Sequence, residues 1–253
     1  MEQELAYAIG HDQLVLHYQP QVCAKTGEMV AVEALVRWQH PTRGLLYPAQ
    51  FIGLAEESGR IAEMGVWTLR EACRQLADWS ARGIHIGNMA VNVSALEFRD
   101  HRLLDSLQAA LDASGIPPQR LEIEITESVL MAETETSQRI IERLRQIGVG
   151  IAIDDFGTGY SSLAYLKRLR PNQLKIDRSF VNDTATDSDS RAIVKGVVGL
   201  AEALSLNVVA EGVETEEQRA FLQDIGCHTL QGYWIAKPLT VEALEQWLLN
   251  RRT

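Results

Sequence analysis

Val149-Gly150-Ile151-Ala152-Ile153-Asp154-Asp155-Phe156-Gly157-Thr158-Gly159-Tyr160-Ser161-Ser162-Leu163 is an apolar run that closes on two adjacent carboxylates and opens at once into a loop. Side chains next to each other on a regular strand point to opposite faces, so both aspartates reach one site only if the strand ends there. Two carboxylates side by side repel and raise each other's pKa unless a cation holds them. The matching cation is hard and oxygen-seeking, of the Mg²⁺ or Mn²⁺ kind. Taken alone, the pair is better read as an exposed strand end with an aspartate capping a helix. The rest of the chain reverses that reading.

The same pattern, an apolar run ending in a polar residue suited to a metal or a phosphate, recurs along the chain. Val30-Ala31-Val32 leads to Glu33, Met89-Ala90-Val91 to Asn92, and Leu121 and Ile123 to Glu124, with Glu127 beyond. Leu174 leads to Lys175, Val208-Val209-Ala210 to Glu211, and Cys227 and Leu230 flank the approach to Gln231. Between these runs lie apolar stripes at helical spacing: Leu69, Ala72, Cys73, Leu76 and Trp79; Ile140, Ile141, Leu144 and Ile147; Ile193, Val194, Val197, Ala201 and Leu204. Buried strands alternating with amphipathic helices are parallel βα units. In a βα barrel the functional groups sit at the C-terminal ends of the strands, and this chain places them there repeatedly.

Length and charge agree. A chain of 253 residues suits one βα barrel, which typically takes about 250. A net charge of −10 leaves no basic stripe for a nucleic-acid polymer. No apolar stretch approaches the ~20 residues of a membrane span. The acidic N-terminus has no signal-peptide core. Cys23, Cys73 and Cys227 lack CxxC spacing and read as reduced, core-packed thiols of a cytoplasmic protein. The six histidines lack zinc-type spacing. Trp67, Trp79 and Trp247 read as core anchors.

One departure from a regular barrel is visible. The segment joining a first strand, Leu14–Gln19, to a second, Met29–Leu35, contains Lys25-Thr26-Gly27-Glu28 and is too short for a crossover helix. The first two strands are therefore expected to be antiparallel, with a leading helix, Glu2–Gly10, over the barrel's base. The polar stretch from Asp183 to Ser190 reads as a solvated connection, with Asp187 or Ser188 capping the next helix.

Together, Glu33-Ala34-Leu35-Val36-Arg37, Asn92-Val93-Ser94, Glu124-Ile125-Thr126-Glu127-Ser128, Asp154 to Leu163, Leu174-Lys175-Ile176-Asp177, Ala210-Glu211-Gly212-Val213-Glu214 and Gln231-Gly232-Tyr233 resemble the EAL-domain cyclic-di-GMP phosphodiesterases. The resemblance runs from about Leu5 to Trp247 and shows no departure at these motifs. It implies a TIM-like (β/α)8 barrel with β1 antiparallel to β2, residues 1–253 forming one domain. It also implies hydrolysis of cyclic di-GMP to linear pGpG with two Mg²⁺ or Mn²⁺ ions, Ca²⁺ binding but inhibiting. By resemblance Glu33, Asn92, Glu124 and Asp154 hold the first ion, Asp154 bridging and Asp155 holding the second. Lys175 then positions water or stabilises transition-state charge, Glu211 contacts metal-bound water or acts as base, and Gln231 hydrogen-bonds the water or a ligand. Arg37 pairs with the non-scissile phosphate, while Gln19 and Leu35 line the nucleotide pocket. Glu127 resembles an anchor for the loop after the aspartate pair, with the hydroxyls of Thr158, Ser161 and Ser162 as its partners.

Further expectations are a homodimer through the helix Ser161–Leu166, and excision from a longer signalling protein with an adjoining GGDEF or sensor domain, one that a membrane could anchor. Blander readings stand beside these. Lys175 could pair with Asp177 inside the protein, Arg37 could stack on Trp38, and Glu214 could be a helix-start carboxylate favoured by the dipole. The competing functions are a receptor that binds cyclic di-GMP without cutting it and an unrelated barrel enzyme using Lys175 as a Schiff base.

Overall fold

A computed structural model describes residues 1–100, 102–127, 129, 135–159, 166 and 169–251. Helix α1 (Glu2–Gly10) precedes the hairpin of β1 (Leu14–Cys23) and β2 (Met29–His40), to which the short β3 (Gly44–Leu46) is appended. Helices α2 (Ile52–Glu57) and α3 (Ile61–Ala81) lead to β4 (Asn88–Asn92), and α4 (Ala95–Phe98) and α5 (Arg102–Ser114) to β5 (Leu121–Thr126). Then follow α6 (Glu135–Ile147), β6 (Gly150–Phe156), β7 (Gln173–Ile176), α7 (Arg178–Asp183) and α8 (Ser188–Ala203). The chain continues through β8 (Asn207–Ala210), α9 (Glu216–Asp224), β9 (Thr229–Leu230) and α10 (Val241–Arg251).

The sheet runs β1-β9-β8-β7-β6-β5-β4-β2, and a β1–β2 pairing closes it into an eight-stranded barrel with β3 outside. All neighbouring strands of the barrel are parallel except β1, which is antiparallel to both β2 and β9. The expected tight turn is the cause. Gly27 takes φ +72°, and the Cys23 and Glu28 backbones pair across it at 2.8 Å.

Reversing β1 has a consequence for the leading helix. Leu14, the first residue of β1, pairs with Trp38, five residues past Glu33 towards the mouth. Helix α1 therefore lies beside the mouth, where Leu5 and Ala8 pack with Leu14, Trp38, Phe51 and Met64, and not over the base as expected. Strand β2 also outruns its expected end at Leu35, because its extension pairs with β1 and β3.

Alternation along the strands divides the core in two. Val32, Val91, Ile123, Ile151, Leu174 and Val208 join the apolar layer beneath the helices, with Leu76, Trp79, Leu144 and Val194. The expected stripe on α3 is buried there; on α6 Ile147 is only half-buried, and on α8 Ile193 is exposed, Val198 takes its place and half-buried Leu204 lies just past the helix. Asp187 caps α8 as expected, accepting from the Ser190 and Asp189 amides. Cys73 and Cys227 are core-packed, whereas Cys23 is only half-buried. The opposite faces of the strands fill the barrel with Gln19, Gln21, Ala31, Glu33, Glu122, Glu124, Gln173 and Lys175, all buried. Barrel interiors usually hold branched apolar residues. This one is polar.

Gly87, at the approach of β4 to β2, shows how tight that contact is. A Cβ there would lie 1.6 Å from the carbonyl oxygen of Val30. Gly87→Ala forces the two strands apart, and overpacking of this kind costs about 3 kcal/mol. Urea unfolding should show that loss, and unchanged stability would refute the tight approach.

Candidate functional site

The C-terminal ends of the strands bring their polar residues to one point. Lys175 on β7 is fully buried, and its Nζ lies 2.7 Å from Glu124 Oε2, 2.7 Å from Glu211 Oε1, 3.2 Å from Asp154 Oδ1 and 3.7 Å from Glu33 Oε2. These carboxylates come from β5, the residue after β8, β6 and β2. The parallel register makes the convergence possible, since Asn92 pairs with Glu124 and Thr126 with Asp154. Glu33 is held from two further sides, accepting from Asn92 Nδ2 at 2.6 Å and Gln231 Nε2 at 2.5 Å. Gln231 Nε2 also donates to Gln19 Oε1 at 3.1 Å, and Gln19 donates to the carbonyl of Ala236.

Strand β6 does not end at the aspartate pair as expected; it shifts register against β7 between Ile153 and Phe156 and resumes pairing at Phe156. Asp155 reaches the same side as Asp154 because the regular alternation breaks there. Its φ of +54° is left-handed, rare for a residue with a side chain, and its amide donates to Asp154 Oδ1 at 3.0 Å. Carboxylate oxygens of Asp154, Asp155 and Glu211 come within 4.8 Å of one another. The loop that follows is anchored by buried Glu127, which accepts from the amides of Gly157 at 3.0 Å and Gly159 at 3.3 Å. Thr158 does not serve Glu127 as expected: its hydroxyl donates to the Asp155 carbonyl at 2.8 Å and so secures the break itself. Ser161, Ser162 and the proposed dimer helix, apart from Leu166, lie outside the described residues.

Arg37 on β2 is buried, donates Nη1 to the Val36 carbonyl at 2.8 Å and leaves Nε without a partner among the described residues. Its guanidinium lies 5.2 Å from the centre of the Tyr47 ring, so the aromatic beside it is Tyr47 and not Trp38. Leu35 and Asn92 line a cavity of about 410 Å³ whose walls include Pro48, Ile52, Ile61 and Met64. Asp177 caps α7 by accepting from Ser179, and Lys175 turns to the four carboxylates instead. Glu214 is exposed and precedes the Thr215 cap of α9, so it is not a first-turn carboxylate; Glu216 and Glu217 are.

Burial governs the protonation of the cluster. It pulls the Lys175 ammonium towards neutrality, but Glu124, Glu211, Glu33 and Asp154 outweigh it and hold the pKa well above that of free lysine. Burial also pushes Glu211 up to about 8, with Asp154 and Glu33 adding to the rise and Lys175 opposing it. Asp155 rises to about 6 through burial and the charges of Asp154 and Asp177. Glu124 rises well above the usual carboxylate range by burial and its neighbour Glu33. Glu33 goes the other way: burial would raise it, but Lys175, Gln231 and Asn92 hold it low.

A hard cation suits this donor set. Five carboxylates gather around one ammonium, and Glu124 Oε1 is buried without a hydrogen-bond partner among the described residues. An orphaned buried acceptor of this kind is costly unless something positive fills its place.

A barrel of βα units closed by one antiparallel strand around buried carboxylates is the architecture of a known family. The family model of the EAL domain matches residues 2–238, and the chain belongs to that family. It is 51% identical, over 95% of its length, to the bifunctional diguanylate cyclase/cyclic di-GMP phosphodiesterase MucR of Pseudomonas aeruginosa, covering 35% of that protein. It is 46% identical, over 98% of its length, to the cyclic di-GMP phosphodiesterase NbdA of the same organism, covering 32% of it. The chain thus spans about a third of the length of these relatives. Among solved structures, the complex of the MucR phosphodiesterase with c-di-GMP superposes with a TM-score of 0.92 at 51% identity, covering 96% of this chain and 98% of that one.

Two residues important to the site escaped the sequence reading. Gln21 sits two positions from Gln19 on the same face of β1, a spacing that could have flagged it. Glu97 forms a capping box with Ser94, the Ser-x-x-Glu signature, and so secures the turn after Asn92. Its carboxylate accepts from the Ser94 amide at 2.9 Å, and a Cβ on Gly65 would collide with it. Burial raises the Glu97 pKa to about 7, with the capping bonds from Ser94 opposing. A carboxyl whose folded pKa is raised contributes stability that is complete below its unfolded pKa and is lost as pH climbs through the folded value. Stability should therefore fall between about pH 4.5 and 7 on this account. Glu97→Gln should flatten that slope by up to about 3 kcal/mol in urea titrations run across the range. An unchanged slope would remove Glu97 from the balance.

Proposed function

We propose that this domain hydrolyses cyclic di-GMP to linear pGpG. The observation that carries the reading is the fully buried Lys175 ammonium enclosed by Glu33, Glu124, Asp154 and Glu211, with one Glu124 oxygen still unpartnered. Glu33, Asn92, Glu124, Asp154 and Asp155 would hold two Mg²⁺ or Mn²⁺ ions. Such a pair supplies a nucleophile from water at neutral pH and neutralises charge on the phosphate.

The chain's own residues do the rest. Lys175 stays protonated and immobile, so its charge is aimed before the reaction at oxygens that become more negative in the transition state. Glu211, near its own pKa at neutral to slightly alkaline pH, is suited to take the proton that water loses on adding to phosphorus. One P–O bond forms and one ester P–O bond breaks, opening the ring to the linear dinucleotide. Arg37 grips the phosphate that does not react, for which its unpartnered Nε is available. Gln19 and Leu35 line the nucleotide pocket, and Asn92 and Gln231 hold Glu33 in place.

A Schiff base at Lys175 is disfavoured, because that chemistry needs a neutral amine and the four carboxylates keep this one charged. A receptor that binds without cutting finds no support, since every carboxylate of the cluster is retained. The similarity to longer relatives supports a place within a larger signalling protein with an adjoining GGDEF or sensor domain.

Chromatography of cyclic di-GMP incubated with the protein and Mg²⁺ should reveal pGpG, with Ca²⁺ failing to support turnover because its longer, looser coordination misplaces the water. Asp154→Asn should abolish product while the fold persists. Lys175→Ala should lower kcat and kcat/KM together by several kcal/mol, whereas Arg37→Ala should mainly raise KM. Full activity of Asp154→Asn would defeat the two-ion scheme.

The proposed homodimer, through the helix after the aspartate loop, is expected to bias that loop and hence Asp155. Light scattering of a variant changed near Tyr165 checks this. A monomer with undiminished turnover would dispose of the coupling without touching hydrolysis.

A further inference from the structure

Beneath the catalytic layer the barrel holds a second polar layer, and one member of it touches the site. Gln21 on β1 is 1% exposed, and its Nε2 donates to Gln231 Oε1 at 2.8 Å. The Gln231 amide has two ends with opposite demands. Its Nε2 faces Glu33 Oε2 and Gln19 Oε1, both acceptors here. A carboxylate can only accept, so Gln231 must turn its NH₂ to Glu33, which leaves Oε1 pointing away and in need of a donor. Gln21 is that donor. A half-turn of the Gln231 amide would set oxygen against Glu33.

We propose that Gln21 is a positioning residue: it fixes the amide orientation of Gln231 and thereby holds Glu33 in the place where it ligates metal. The inference rests on the phosphodiesterase reading only for the metal role of Glu33. The link runs from β1 through β9's terminus to β2, closing the barrel at its antiparallel seam with side chains as well as backbone.

The surroundings of Gln21 decide which substitution tests this. Gln21 borders a polar cavity of about 630 Å³ at the base of the barrel, lined also by Glu122, Arg145, Arg170 and His228. A small replacement such as alanine would let water enter from that cavity and serve Gln231 in its stead. Gln21→Met keeps the volume, excludes water and removes the donor. Gln21→Glu keeps the shape and sets an acceptor against Gln231 Oε1 until it is protonated, when it becomes a donor. The charged and titratable groups around this position are Glu33 above it and Glu122, His228, Arg145, Arg170 and Cys23 around the cavity.

Mn²⁺ binding by calorimetry and Mg²⁺ activation of turnover should both be measured at pH 6 and pH 8, with the melting temperature as control. Gln21→Met should weaken Mn²⁺ binding and raise the Mg²⁺ needed for half-activation about tenfold, the consequence of one unsatisfied buried acceptor. Gln21→Glu should be worse than Gln21→Met at pH 8 and recover towards wild type at pH 6, because the introduced carboxyl then donates. A merely structural role would lower the melting temperature of both variants and give no such recovery. Wild-type Mn²⁺ affinity in both variants overturns the proposal, as does a loss that tracks melting temperature and ignores pH. If the wild type binds Mn²⁺ but yields no pGpG, the phosphodiesterase reading fails while the calorimetric comparison of Gln21 still stands.

Discussion

Everything at the mouth of this barrel depends on the Lys175 ammonium. It is fully buried and lies within 4 Å of carboxylates from four different parts of the sheet. An isolated buried charge of either sign is prohibitively costly, and the cluster exists because each side compensates the other. The compensation is incomplete. Burial, aided by neighbouring carboxylates that one cation cannot balance, pushes Glu211 and Asp155 towards protonation, and Glu124 keeps an oxygen unpartnered among the described residues. That residual negative charge is the driving force for a hard cation, and Lys175 sets its limits.

The polar filling of the barrel follows from the same demand. Side chains that point inward on a closed strand layer cannot reach bulk water, so each must find a partner within the barrel. Asn92, Gln231, Gln19 and Gln21 provide such partners around Glu33, and Gln173 donates to Glu122 at 2.9 Å one layer below. Hydrophobic burial is displaced to the outer face of the strands, where Ile123, Leu174 and Val208 meet the helices. The fold is thus stabilised outside the barrel and committed to chemistry inside it.

The antiparallel β1 serves the site in a way that a parallel strand would not. Its short turn with β2 pairs Gln19 with Glu33. The reversal also carries α1 to the mouth, where it helps bury Trp38 and the extension of β2 bearing Arg37. Asp155 depends on a different device, a left-handed backbone at the strand's end secured by Thr158 and by the Glu127 clamp on the glycine amides.

The barrel class, the antiparallel hairpin and the polar residues Glu33, Asn92, Glu124, Asp154, Lys175 and Glu211 that close apolar runs were legible in the chain itself, although β2 continues well past Glu33. Periodicity of two or 3.6 residues is a local property, and a polar residue interrupting an apolar run can be read without reference to anything distant. The partners of those residues were not legible. Lys175 faces four carboxylates and not the nearby Asp177, Arg37 lies beside Tyr47 and not Trp38, and Glu127 accepts from the Gly157 and Gly159 amides while Thr158 turns to the Asp155 carbonyl. Gln21 and Gln231 meet across 210 positions of sequence. Such pairings depend on strand register, on the side of the barrel to which a reversed strand is carried, and on the break at Asp155. Local sequence sets which face a side chain takes; only closure of the barrel decides what it finds there.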